Sequence, residues 1–146
     1  MYEFLKYRVD DVMTREPVTI TPEMSLREAE QIFEEHDFNG VPVVENGENL
    51  VGWLTKLDLL SAFCGDDEHM FMPYADIMQQ SASSVMSRKV RSVTPLAPLT
   101  RVLEKLVTSG NKSFPVLDDG RLVGVVARED VLRGLRRAAE GIPPGP

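Results

Sequence analysis

The sequence predicts an α/β (α+β) fold in which two β-α-β-β-α repeats pack sheet-to-sheet with pseudo-twofold symmetry. Three observations predict it. The chain repeats itself: Pro42 recurs as Pro115 and Asp58 as Asp130, offsets of 73 and 72 residues. Each copy carries a strong hairpin turn, Asn46-Gly47 or Asp119-Gly120. Each also carries an apolar stripe at helical spacing ahead of that hairpin.

The elements follow in order. Each copy opens with a short β segment, "VTI" or "RSV", that runs into Thr-Pro. A helix comes next. In the first copy Ser25-x-x-Glu28 is a capping-box signature, and Leu26, Ala29, Ile32 and Phe33 form the stripe. In the second copy the stripe is Leu99, Val102, Leu103, Leu106 and Val107. The hairpin then pairs "VPVV" with "LVGWL", and "FPVL" with "LVGVV". The second hairpin is one residue shorter, between Gly120 and Gly124. A second helix begins near Lys56 and near Arg128.

These signals divide the chain into an N-terminal segment (1–11), a first repeat (12–62), a linker (63–83), a second repeat (84–138) and a tail (139–146) expected to be disordered. A single unit of this size buries little apolar surface alone, so each repeat needs a partner face. Within the linker, "YADIMQQ" suits a short helix, and Met70, Met72 and Met78 are expected to pack onto the core.

Composition narrows the function. The 146 residues carry a net charge of −7. That argues against a duplex nucleic-acid binder, which needs a basic surface. A small anionic ligand is compatible, because a few cations and backbone N–H groups suffice. The single cysteine, Cys64, permits no intrachain disulfide and is expected to be a small, partly buried residue in a reducing compartment. "MYEFLKYRVDDVM" lacks the apolar core of a signal peptide, and no apolar run approaches a membrane span. The chain is expected to be cytoplasmic.

Thr55-x-x-Asp58 has two compatible readings. A threonine followed three places later by an acidic residue fits a helix N-terminus. A helix N-terminus also suits phosphate, and a carboxylate can accept from vicinal ribose hydroxyls. The second copy keeps Asp130 but replaces the threonine with Ala127.

The ordered motifs "DVMTREPVTITPEMSLREA", "FNGVPVVENG" and "LVGWLTKLDLL", with "SVMSRKVRSVTP", "KSFPVLDDG" and "LVGVVAREDVL", resemble the CBS domain, a module found as tandem pairs called Bateman modules. The resemblance implies two clefts between the repeats that hold adenosine compounds such as AMP, ADP, ATP or S-adenosylmethionine. Carried over, Asp58 would bond ribose and Thr55 phosphate, with Lys56 beside them. Backbone groups of Asn39, Gly40, Val41 and Pro42 would line the base pocket, helped by Thr14, Pro17 and Val18. The second cleft would use Ser87, Lys89, Val90, Lys112, Ser113, Phe114, Pro115 and Asp130, with charge from Arg128. Ala127 departs from the pattern, so the first cleft is expected to be the better phosphate site. The resemblance also implies a flat homodimer and a regulatory role exerted on a separate protein, with no required cofactor. The rival reading is a ligand-free dimerisation or scaffold module.

Other candidates point elsewhere. Asp66, Asp67, Glu68 and His69 lack the alternation of a calcium loop and suit a solvated linker. His36 ends a helix, where the dipole favours it. Trp53 suits core or interface. No Ser/His/Asp set, Walker loop or metal-ligand spacing is present in the sequence, so no enzyme activity is expected.

Overall fold

The computed structural model describes residues 2–64 and 72–145. In chain order the elements are β1 (Thr14–Arg15), α1 (Leu26–His36), β2 (Gly40–Glu45), β3 (Asn49–Thr55), α2 (Lys56–Ser61), α3 (Tyr74–Met78), α4 (Leu99–Ser109), β4 (Ser113–Asp118), β5 (Arg121–Ala127) and α5 (Arg128–Ala139). The chain forms two compact units. A central unit is Val18–Val90, and a terminal unit joins Met1–Pro17 to Arg91–Pro146.

These units cut across the repeats, because the residues just ahead of "VTI" and "RSV", Thr14–Arg15 and Ser87, pair with the other repeat's hairpin. Thr14 lies opposite Val125 and Arg15 opposite Gly124 in β5. Ser87 bridges Trp53 in β3, exchanging N–H···O bonds of 2.9 Å in both directions. A glycine makes each approach possible. A Cβ on Gly124 would meet the Thr14 carbonyl at 2.7 Å and Met13 Sδ at 2.9 Å. One on Gly52 would meet Met86 Sδ at 2.7 Å and the Ser87 carbonyl at 2.9 Å. The glycine shared by "LVGWL" and "LVGVV" is thus the seat of the incoming strand.

In the central unit, α1 begins where Ser25 Oγ accepts from the Glu28 N–H at 3.1 Å. It ends at Asp37, left-handed at φ 54°, whose N–H reaches the Phe33 carbonyl. Leu26, Ala29 and Phe33 are buried, as the stripe requires. The β2–β3 hairpin turns through Asn46 (φ 53°) and Gly47 (φ 83°). The "VTI" segment contributes only a single bridge, Ile20 to Val43. The linker supplies core: Ile77, Met78 and Ala82 are buried with the first repeat's side chains. Met72 packs against them, while Met70 and the acidic run Asp66, Asp67, Glu68 and His69 lie outside the described residues.

The terminal unit repeats this plan. β4 and β5 turn through Asp119 (φ 51°) and Gly120 (φ 80°). Asp118 pairs with Arg121, whereas Glu45 pairs with Asn49, so the extra residue of the first hairpin sits in its turn. Both hairpins carry a bulge at the same place, Val51 and Val123, where the register shifts. The "RSV" segment again gives one bridge, Val93 to Val116.

Several expectations change. The N-terminal segment is core, with Phe4, Tyr7 and Val9 buried among Leu99, Val102 and Phe114. Tyr7 Oη donates to the Ile142 carbonyl at 2.7 Å, which anchors the start of the tail. Val107 leaves the predicted stripe and is 74% exposed, since the buried face of α4 needs only Leu99, Val102 and Leu106, with Leu103 partly covered. Cys64 is exposed rather than partly buried, lying just past the end of α2.

Candidate functional site

The N-terminus of α2 is built by a reciprocal pair. Thr55 Oγ1 accepts from the Asp58 N–H at 3.1 Å, and the Thr55 N–H donates to Asp58 Oδ2 at 2.8 Å. This is the capping box that the spacing predicts. It leaves groups over. Among the described residues, Asp58 Oδ1 has no hydrogen-bond partner and the Thr55 hydroxyl hydrogen has no acceptor. Both residues are half-buried, not sealed.

Strand pairing brings more of the expected residues here. Gly40 pairs with Thr55, and the Lys56 N–H donates to the Asn39 carbonyl at 3.1 Å. Val41 and Pro42 are buried, so they offer backbone rather than side chain. Val18 belongs to the same unit. The Trp53–Ser87 bridge places Ser87 on the strand that ends at Thr55, with Lys89 and Val90 just beyond it. Ser87 and Lys89 are exposed. Trp53 itself is half-buried, and its Nε1 lies close above Gly40.

The same pairing regroups the sets expected from sequence. Thr14 and Pro17 belong to the terminal unit, with Asp130, and not to the unit of Thr55 and Asp58. Ser87, Lys89 and Val90 make the reverse move. The reason is the exchange of leading segments. Each set therefore draws on both repeats while lying in one compact unit.

In the terminal unit the N-terminus of α5 keeps half of the box. The Ala127 N–H donates to Asp130 Oδ2 at 2.8 Å, but Ala127 has no side-chain acceptor for the Asp130 N–H. Asp130 is buried, at 5% exposure, and its Oδ1 accepts from Arg133 at 2.6 Å. Ser113 pairs with Ala127, and the Arg128 N–H donates to the Lys112 carbonyl at 3.1 Å. Phe114 and Pro115 are buried and offer backbone. Arg128 has other work: its guanidinium donates to the carbonyls of Gly110 and Asn111, just past the end of α4. Positive charge there complements the helix C-terminus.

Lys56 lines a groove of about 370 Å³ on the face formed by α1, α2 and α3, with Phe33, Leu59, Leu60, Phe63 and Tyr74 among its walls. His36 ends α1 and stacks on Phe38 with ring centroids 5.1 Å apart. Among the described residues no cluster of three metal-ligating side chains occurs, and no helix is long and apolar enough to cross a membrane.

The CBS domain family model matches residues 9–65 and again 82–137. The chain belongs to the CBS domain family. It is a tandem CBS pair, and relatives carry this pair in different settings. An A-adding tRNA nucleotidyltransferase of Aquifex aeolicus is 28% identical over 94% of this chain, which spans only 15% of that protein's length. The CBS domain-containing protein YhcV of Bacillus subtilis is 30% identical over 84% of this chain and 81% of its own. Among solved structures, the CBS domain pair of protein MJ0100, in complex with 5′-methylthioadenosine and S-adenosyl-L-methionine, superposes with a TM-score of 0.70 at 28% identity. That match covers 86% of this chain and 97% of the other.

One residue beside the N-terminus of α5 escapes sequence reasoning. Arg133 holds both Asp130 and the Val12 carbonyl. The signal was available: position 133 is the counterpart of Ser61, and the two copies differ there as they do at Thr55 and Ala127.

Proposed function

We propose that this CBS pair is a regulatory sensor that binds an adenosine-containing compound at the N-terminus of α2 and acts on a separate protein. One observation carries the reading: Asp58 caps its helix through Oδ2 alone, beside a threonine hydroxyl whose hydrogen is unused. Oδ1 would accept from a ribose diol, as acidic residues do in dinucleotide-binding folds. The Thr55 hydroxyl would donate to phosphate, and Lys89 would supply positive charge. Backbone groups of Asn39, Gly40, Val41 and Pro42 would border the base, and Val18 and Ser87 would complete the wall. The adenosine compounds bound by a 28%-identical CBS pair support this ligand class.

In the terminal unit Thr14, Pro17, Lys112, Ser113, Phe114, Pro115 and Asp130 form the corresponding set. It lacks a hydroxyl at Ala127, so it is the poorer phosphate site. Ligand occupancy regulates only through a difference in affinity between two arrangements of the protein. The protein works as a homodimer. Leu57 (74% exposed), Leu60 (64%) and Tyr74 (67%) give it apolar surface to cover.

The rival reading, a ligand-free dimerisation or scaffold module, draws on the same Asp58 and Asp130 bonds as helix caps alone. Thermal unfolding with AMP, ADP, ATP and S-adenosylmethionine separates them. A ligand at about 100 times its Kd stabilises by roughly 2.7 kcal/mol. No shift with any of the four at millimolar concentration contradicts the sensor.

A further inference from the structure

The two aspartates differ most in what lies three residues downstream. After Asp58 comes Ser61, which is exposed and donates to the Asp58 main-chain carbonyl at 2.6 Å. Ser61 does not touch the carboxylate, whose Oδ2 accepts only from the Thr55 N–H. After Asp130 comes Arg133, whose guanidinium donates to Oδ1 at 2.6 Å and to the Val12 carbonyl at 3.1 Å. Oδ2 already accepts from the Ala127 N–H. The Asp130 side chain is 8% exposed and that of Arg133 43%, so the guanidinium covers the carboxylate. Arg133 also borders a cavity of about 360 Å³ with Asp10, Asp11, Val12, Met13 and Arg15.

We propose that Arg133 is a gate on the second site. A ribose diol reaches Asp130 only when the guanidinium leaves, and an uncharged hydroxyl does not replace a charge-assisted bond of this length. Uncharged ribonucleosides are therefore admitted at Asp58 and shut out at Asp130. Asp10 and Asp11 line the same cavity and would offer the displaced guanidinium an anionic partner, although Asp11 Oδ2 already accepts from the Arg8 N–H. Arg133 is a positioning residue that sets which site is open. The inference rests on reading both aspartates as ribose acceptors.

The test is calorimetric titration of the full chain with 5′-methylthioadenosine. This probe is uncharged, so removing Arg133 alters no charge attraction to it. The unaltered protein should bind about one probe per chain, and Asp58→Ala should abolish that event. Arg133→Ser, which copies the first repeat, should raise the stoichiometry to about two, and adding Asp130→Ala should remove the second event. The reciprocal change, Ser61→Arg at an exposed position, should weaken the first site at least about tenfold. An Arg133→Ser protein that binds like the original, or a new event that survives Asp130→Ala, overturns the gate. If circular dichroism shows Arg133→Ser unfolded, Ser61→Arg decides, and unchanged affinity overturns the proposal. Absence of Asp58-dependent binding in the unaltered protein would sink the first-site reading separately. The gate would still be judged by whether Arg133→Ser gains Asp130-dependent binding.

Discussion

Thr55→Ala should cost this protein about 1 kcal/mol and should leave half of the cap intact. The molecule contains its own reference. Ala127 stands where Thr55 stands, and its N–H still reaches Asp130 Oδ2 at 2.8 Å, the same distance as Thr55 to Asp58. The substitution therefore removes only the 3.1 Å bond from the Asp58 N–H to Oγ1. Loss of a side-chain N-cap costs about 0.5 to 2 kcal/mol. Helix α2 has only six residues, so it has little intrinsic stability to fall back on. At this size 1 kcal/mol corresponds to a fall of roughly 2–4 °C in Tm. Urea unfolding gives the value from the midpoint at fixed slope. Thr55→Ser should be near neutral, and Ala127→Thr should gain about as much as Thr55→Ala loses. A loss below about 0.3 kcal/mol, or one above about 3, would refute a simple half-box. Adenosine binding should weaken with Thr55→Ala and persist with Thr55→Ser. Normal binding by a destabilised Thr55→Ala protein would make Thr55 a cap and nothing more.

Gly52→Ala and Gly124→Ala should each destabilise by about 1–3 kcal/mol, because the new methyl meets main chain and methionine sulfur that cannot both retreat. Neutral substitutions in urea unfolding would show that the leading segments do not lie on these strands. Replacing Leu57 and Leu60 with lysine should convert the proposed homodimer to a monomer with little loss of stability, since both side chains are exposed in the single chain. Light scattering reads the mass, and an unchanged dimer would place the interface elsewhere.

The architecture was legible because it is written twice. Asn46-Gly47 and Asp119-Gly120 take the left-handed conformations their residue types allow, and the helices begin where Lys56 and Arg128 were expected. The capping box at Thr55 was equally local and therefore readable. The exchange of leading segments was not, because it is a tertiary pairing with no local pattern of its own. Its trace is a glycine in each hairpin, and a lone glycine in a strand has several explanations. The N-terminal aromatics were missed for a similar reason. Phe4 and Tyr7 are a single pair three residues apart, too short a pattern to mark an element, so only the packed structure reveals them as core. Arg133 reads as an ordinary helix-surface residue until Ser61 is set beside it.

Calorimetric titration of the protein, Asp58→Ala and Asp130→Ala with AMP, ATP and S-adenosylmethionine tests the ligand site most directly. Tight binding of at least one compound should disappear with Asp58→Ala and survive Asp130→Ala. No binding at millimolar concentration, or equal losses in the two variants, would contradict the assignment of the ligand site to the N-terminus of α2.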